Sequence, residues 1–126
     1  MVKSSQTMTR KSLADMSTAE LVDQFVSIAL AQDKAISYDE NSKYNSLYKK
    51  MDFVEAALKQ REGDQRRLLL PFLQHPNAQV RLKAAIVTLA VDQSAALAAL
   101  QKISDHNEYP QAADARGMMR AVAEGS

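Results

Sequence analysis

The sequence predicts an all-α fold: a short array of about three helical hairpins, built from six helices. Three observations predict it. The first is composition. The chain has 126 residues, 46% of them hydrophobic and 25% charged, with only three Gly and three Pro. Ala and Leu are abundant, which favours helices joined by short connections. The second is period, since apolar residues recur at steps of three and four. The third is punctuation. Polar or Pro/Gly breaks fall at 37–41, 63–64, 75–77 and 105–110. The length suits one domain. Residues 1–16 read as a flexible polar arm and 17–126 as the helical domain.

Each element has its own justification. Ser17-Thr18-Ala19-Glu20 is a capping box, with the Ser17 hydroxyl accepting from the Glu20 amide and the Glu20 side chain reaching back. Leu21, Phe25, Ile28, Ala29 and Ile36 share one stripe, so the first helix spans about 18–36. Tyr44, Leu47, Tyr48, Met51, Val54 and Leu58 form the clearest amphipathic pattern and predict a second helix over 40–61. On this pattern Tyr44 and Tyr48 belong to the core. Gly63 suits a left-handed helix stop, and Asp64 can cap the next helix. The apolar stretch LLLPFLQHPNAQVRLKAAIVTLA, residues 68–90, is interrupted by Pro71 and Pro76. A helix over 64–74 carries Pro71 inside it as a bend. His75-Pro76-Asn77 is a turn, because proline disfavours helical geometry in the residue before it. A new helix starts near Ala78. Two more come at about 94–104 and 111–122, with Asp105 to Pro110 as their corner and Pro110 at the head of the last.

The 68–90 stretch resembles a HEAT repeat. Leu70, Pro71 and Leu73 match its first helix, and Val80-Arg81, Ala84-Ala85 and Leu89 its second. Asn77 stands where that family usually has a turn aspartate. An echo comes thirty residues later: Leu70 pairs with Leu100, Leu73 with Ile103, Leu82 with Ala112, Ala85 with Ala115, and Leu89 with Met119. With the first two helices this makes three hairpins, about the minimum for a stacked array. Beyond residue 17 the chain also resembles a small bacterial domain-of-unknown-function family with a HEAT-like fold. Lys43–Leu58, Gly63-Asp64-Gln65-Arg66-Arg67 and Asn107-Glu108-Tyr109-Pro110-Gln111-Ala112-Ala113 carry that likeness. The resemblance implies a fold and no activity.

Composition excludes several classes. Cys is absent, so no disulfide, thiolate nucleophile or cysteine metal site is expected, and the reading is cytoplasmic. No apolar run approaches the ~18 residues of a membrane span. The start, MVKSSQTMTRKSLADM, lacks the apolar centre of a secretory signal. Net charge is +1 but unevenly spread. Residues 13–58 hold eight acids and four bases, whereas 59–83 hold six bases and two acids.

No phosphate loop, nucleophile elbow or metal-ligand pair at helical spacing is present. His75 and His106 read as corner residues, not ligands. Asp39-Glu40 and the pair Asp52 and Glu55 read as helix-start and solvated carboxylates, not an acid–base pair. The basic residues carry more information. Arg66, Arg67, Arg81 and Lys83 flank the second hairpin, and Arg116 and Arg120 lie at i, i+4 on the last helix. If second helices line one surface, these cations form an anion-binding or partner-binding face. Arg81 has a structural alternative that is favoured, bracing its corner by bonding carbonyls. Arg66 and Arg67 have theirs in Glu62 and Asp64. Tyr109, in a corner, is either an interface anchor or a local staple.

The expectation is therefore a non-catalytic interaction module that binds a protein partner, of adaptor, regulator or toxin-neutralising type. The alternative is binding of a nucleic-acid backbone through the basic residues. No cofactor and no membrane are expected, and self-association is compatible with an array this short.

Overall fold

The computed structural model describes residues 13–125. The chain forms α1 (Thr18–Ser37), α2 (Asn41–Gln60), a 3-10 helix (Gln65–Gln74), α3 (Ala78–Thr88), α4 (Gln93–Asp105) and α5 (Gln111–Ala123). No strand occurs among the described residues, and the fold is all-α. Two compact units divide between Gln65 and Arg66.

The first unit is a helical pair. The Ser17 capping box forms as the sequence predicts: Ser17 N donates to Glu20 Oε1 at 2.8 Å, and Glu20 N donates to Ser17 Oγ at 3.1 Å. At its other end α1 stops at Tyr38, and Asp39 takes a left-handed φ of 57°. The chain folds back there, and α1 packs along α2. Leu21, Phe25, Ile28 and Ala29 meet Met51, Val54 and Leu58 in the core. Gln32, also buried, donates to Met51 Sδ at 3.9 Å.

One expectation for this unit changes. Tyr48 is 48% exposed and Tyr44 only half-buried, so the core stripe of α2 is narrower than its spacing suggested. Their phenol hydroxyls remain compatible with water, and the aliphatic positions one turn later suffice to cover α1. The arm expected over 1–16 lies outside the described residues as far as 12. Leu13 and Met16 are held: Leu13 is 2% exposed, and Arg61 donates to Leu13 O at 3.2 Å and to Met16 O at 2.7 Å.

The second unit opens with the 3-10 helix, after a left-handed pair at Gly63 (φ 81°) and Asp64 (φ 53°). The segment was expected to be an α-helix bent at Pro71. The tighter 3-10 form has the same cause. Pro71 has no N–H to give, and an α-turn would press its ring against the carbonyl four residues back. Leu69 and Leu73 are its buried contacts. The apolar block then breaks at 75–77, as the prolines predict. Asn77 caps α3 by accepting from Gln79 N at 2.9 Å and Val80 N at 3.1 Å. The segments α3, α4 and α5 pack on one another. Their shared core includes Val80, Leu82, Ala84, Ala85, Leu100, Ile103, Ala112 and Ala115. The burial of α5 is uneven. Gln111, Ala112 and Ala115 are buried, and nothing beyond Ala115 is.

Candidate functional site

The chemistry of the second unit is concentrated at its corners, and two arginines organise it. Arg81 lies in the first turns of α3, one helical turn past the His75-Pro76-Asn77 break. A turn leaves carbonyl oxygens without partners inside a helix. Arg81 takes up two of them, with Nε donating to His75 O at 2.7 Å and Nη2 to Pro76 O at 3.3 Å. Asn77 N donates back to His75 Nδ1 at 3.0 Å, which closes the turn.

The same guanidinium reaches the next corner. Its Nη1 and Nη2 donate to the two oxygens of Glu108, each at 2.8 Å. This is a two-pronged ion pair between residues 27 apart in sequence. The hydrogen bonds from Arg81 hold the Glu108 carboxyl below its usual range, against a desolvation cost that pushes the other way. The Arg81 pKa is raised, first by its bond to Glu108.

Arg116, in α5, braces the α4–α5 corner. Nε donates to Ser104 Oγ at 2.7 Å, and Nη2 donates to Ser104 O at 2.8 Å and Asn107 Oδ1 at 2.7 Å. Ser104 O belongs to the last turn of α4, where a cation is favoured by the helix dipole. Nη1 donates to the Tyr109 hydroxyl, and the guanidinium carbon lies 5.5 Å from the Tyr109 ring centre. Asn107 holds a left-handed φ of 50° between these partners. Tyr109 is therefore fixed at its hydroxyl and across its ring, yet it remains 60% exposed.

Beneath the two corners lies a buried amide pair. Gln111 Nε2 donates to Gln79 Oε1 at 2.9 Å, joining the first turns of α3 and α5. Among the described residues no buried side-chain nitrogen or oxygen lacks a partner. No cluster of three metal-ligating side chains occurs among them. No described helix is long and apolar enough to cross a membrane.

The residues singled out from sequence thus separate. Arg81 and Arg116 are both corner braces, at successive corners. Lys83 is only 8% exposed and sits in the packed part of α3. Arg66 is half-buried, whereas Arg67 and Arg120 are exposed. Arg116 and Tyr109 are joined at the corner before α5, and Arg120 stands one turn beyond Arg116, in the last turn of the helix. Glu108 was missed. Its sequence signals were its place in the second corner and in the Asn107–Ala113 segment, neither of which points to Arg81.

Two open grooves accompany these features. One, of about 440 Å³, lies in the first unit and is lined by Leu13, Ala14, Phe53, Ala56, Ala57 and Arg61 among others. The other, of about 480 Å³, runs along α4 beside the end of the 3-10 helix. Ala95, Ala98 and Ala99 form its floor, with Arg81, Lys102 and Asp105 at its edge. Neither gathers a set of groups suited to acid–base or nucleophilic chemistry.

Residues 19–123 match a family profile described as "Domain of unknown function (DUF2019)". The chain belongs to the DUF2019 family. A solved structure is similar to it: the crystal structure of the protein RPA1889 from Rhodopseudomonas palustris CGA009. That structure matches with a TM-score of 0.88 and 38% identity, over 90% of this chain and 94% of that one. No curated protein matches. The DUF2019 description assigns no activity, so a function has to be argued from the corners themselves.

Proposed function

We propose that this DUF2019 protein is a non-catalytic, HEAT-like interaction module, acting in the cytoplasm, that binds a protein partner at the α4–α5 corner. One observation carries the reading: Tyr109 is 60% exposed and yet held in place by Arg116. An aromatic ring in water ordinarily keeps its rotamer freedom and loses it on binding. Here the ordering is already done by the corner, which lowers the cost of association. Tyr and Arg are also the residue types that most often dominate binding at protein interfaces.

The repeat reading draws support from the two arginines. Each reaches back from its helix to the corner before it, Arg81 to the His75 and Pro76 carbonyls and Arg116 to Ser104 and Asn107. The chain's open, groove-like surfaces suit a macromolecule better than a small substrate. Adaptor, regulator and toxin-neutralising roles all use such a surface.

The test is comparative capture from the native cells. Tagged full-length protein and its Tyr109→Ala variant are used at equal amounts, after their thermal melts have been matched. The reading expects a protein retained by the parent and depleted at least tenfold from the variant. Equal retention by both would overturn it.

A further inference from the structure

We propose that the α4–α5 corner recognises an acidic segment of the partner protein, seating one of its carboxylates between Arg116 and Arg120 beside the Tyr109 ring. This rests on the reading of the corner as a protein-binding site and adds the chemistry of what binds there.

The argument starts from how the two corner arginines differ. Arg81 is neutralised, because both prongs of Glu108 accept from it. Arg116 donates to four acceptors: a serine hydroxyl, a helix carbonyl, an asparagine amide oxygen and a phenol. Every one of them is neutral. Its hydrogen bonds fix its position, and its charge is left uncompensated. A guanidinium has five N–H groups, and four are engaged, so one on Nη1 is left to donate.

Arg120 stands one helical turn further along α5 and is exposed. Gly117 lies between the two arginines. A Cβ added at Gly117 would come 4.0 Å from Arg120 Nη2. The Arg120 head group therefore lies back along the helix, beside Gly117. The fixed Tyr109 ring just before α5, Arg116 within it and Arg120 in its last turn thus follow one another along this end of the chain. A carboxylate accepts from two donors at once, and the methylenes of a glutamate can lie on the tyrosine ring.

A nucleic-acid backbone fits this place less well. It presents a charge at every nucleotide, and exposed Asp105 and Asp114 belong to the same two helices as the corner. An extended polyanion meets those acids, whereas a single carboxylate on a protein side chain need not.

The test uses the full chain labelled with nitrogen-15 and titrated with three probes: a six-residue glutamate peptide, its glutamine counterpart and a short DNA duplex. The expected result is a saturable shift of the Tyr109, Arg116 and Arg120 resonances with the glutamate peptide. Binding of the glutamine peptide should be at least tenfold weaker. Arg120→Gln, on an exposed position, should weaken glutamate-peptide binding by about twofold to fivefold, the range of a surface ion pair. Arg116→Gln should abolish it, with the amide spectrum confirming that the fold persists. Equal responses to the two peptides would overturn the proposal, as would shifts that miss the corner. A tighter response to DNA at the same residues would overturn it in favour of a phosphate site. Capture that depends on Tyr109 without any carboxylate response would overturn this inference alone. Failure of that capture would remove the protein-binding reading and this one with it.

Discussion

Arg81 and Glu108 show how much one side-chain pair can do for the geometry around it. The pair is part-buried, two-pronged and anchored at one end to the His75 and Pro76 carbonyls. Replacing Glu108 with Gln removes the charge and one accepting oxygen. It should cost about 1 kcal/mol at neutral pH, above a typical exposed pair because the geometry is fixed on both sides. The pH dependence has a definite sign. The Glu108 carboxyl is held low in the folded chain, so its contribution is complete above the unfolded glutamate value of about 4.3 and is lost as pH falls through the folded value. The Arg81 pKa is raised from one already far above neutrality, so it sets no limit in the acid range. Thermal melts of the parent and Glu108→Gln should therefore differ most at pH 7 and converge as pH falls through the lowered Glu108 value. A gap of the same size at every pH would mean that the effect is packing and not charge. None of this was visible in sequence beyond Arg81 as a corner brace, because Glu108 lies 27 residues away and no local pattern joins them.

Local signals within elements were far more legible. The Ser17 capping box, the left-handed stop at Gly63 and the break at Pro76 each depend on neighbouring residues, and each appears where the sequence predicts it. Ser17→Ala should destabilise the chain by about 1 kcal/mol, read from denaturant unfolding, because the Glu20 amide loses its acceptor. An unchanged midpoint would show that water replaces the cap at no cost. The misreadings are instructive in the same terms. Periodicity placed Tyr44 and Tyr48 on a core stripe but could not say how wide a stripe α1 would cover. Pro71 was read as a bend in an α-helix, and the chain instead adopts a tighter turn along Gln65–Gln74. Both hinge on which neighbour supplies the contact, which spacing alone does not record.

At the level of the whole molecule, the all-α class followed from composition and period, while the distribution of charge proved a poor guide to surface. The cations expected to share one face are divided by their duties. Arg81 and Arg116 hold corners, and Lys83 is packed within α3. If Arg116 and Arg120 alone meet the phosphates, binding to duplex DNA should neutralise about two of them. The slope of log affinity against log salt would then be about −1.8. Fluorescence anisotropy across a salt series checks this. A slope several times steeper would mean that further cations take part in binding. The likeness to RPA1889 spans nearly all of both chains, so its corresponding corner is the natural place to repeat the carboxylate titration.

The uneven burial of α5 has a dynamic consequence. Its first turns are pinned by the amide pair and by Arg116, whereas no residue past Ala115 is buried. Gly117 stands at the changeover, inside a helix, where it weakens propagation by about 1 kcal/mol relative to alanine. The final two turns can consequently unwind and re-form without disturbing the rest. Backbone amide protons should exchange with deuterated solvent much faster from Met118 onward than at Ala112 to Arg116. Gly117→Ala, whose added methyl meets only an ordinary contact, should slow that exchange severalfold and leave the earlier amides as they were.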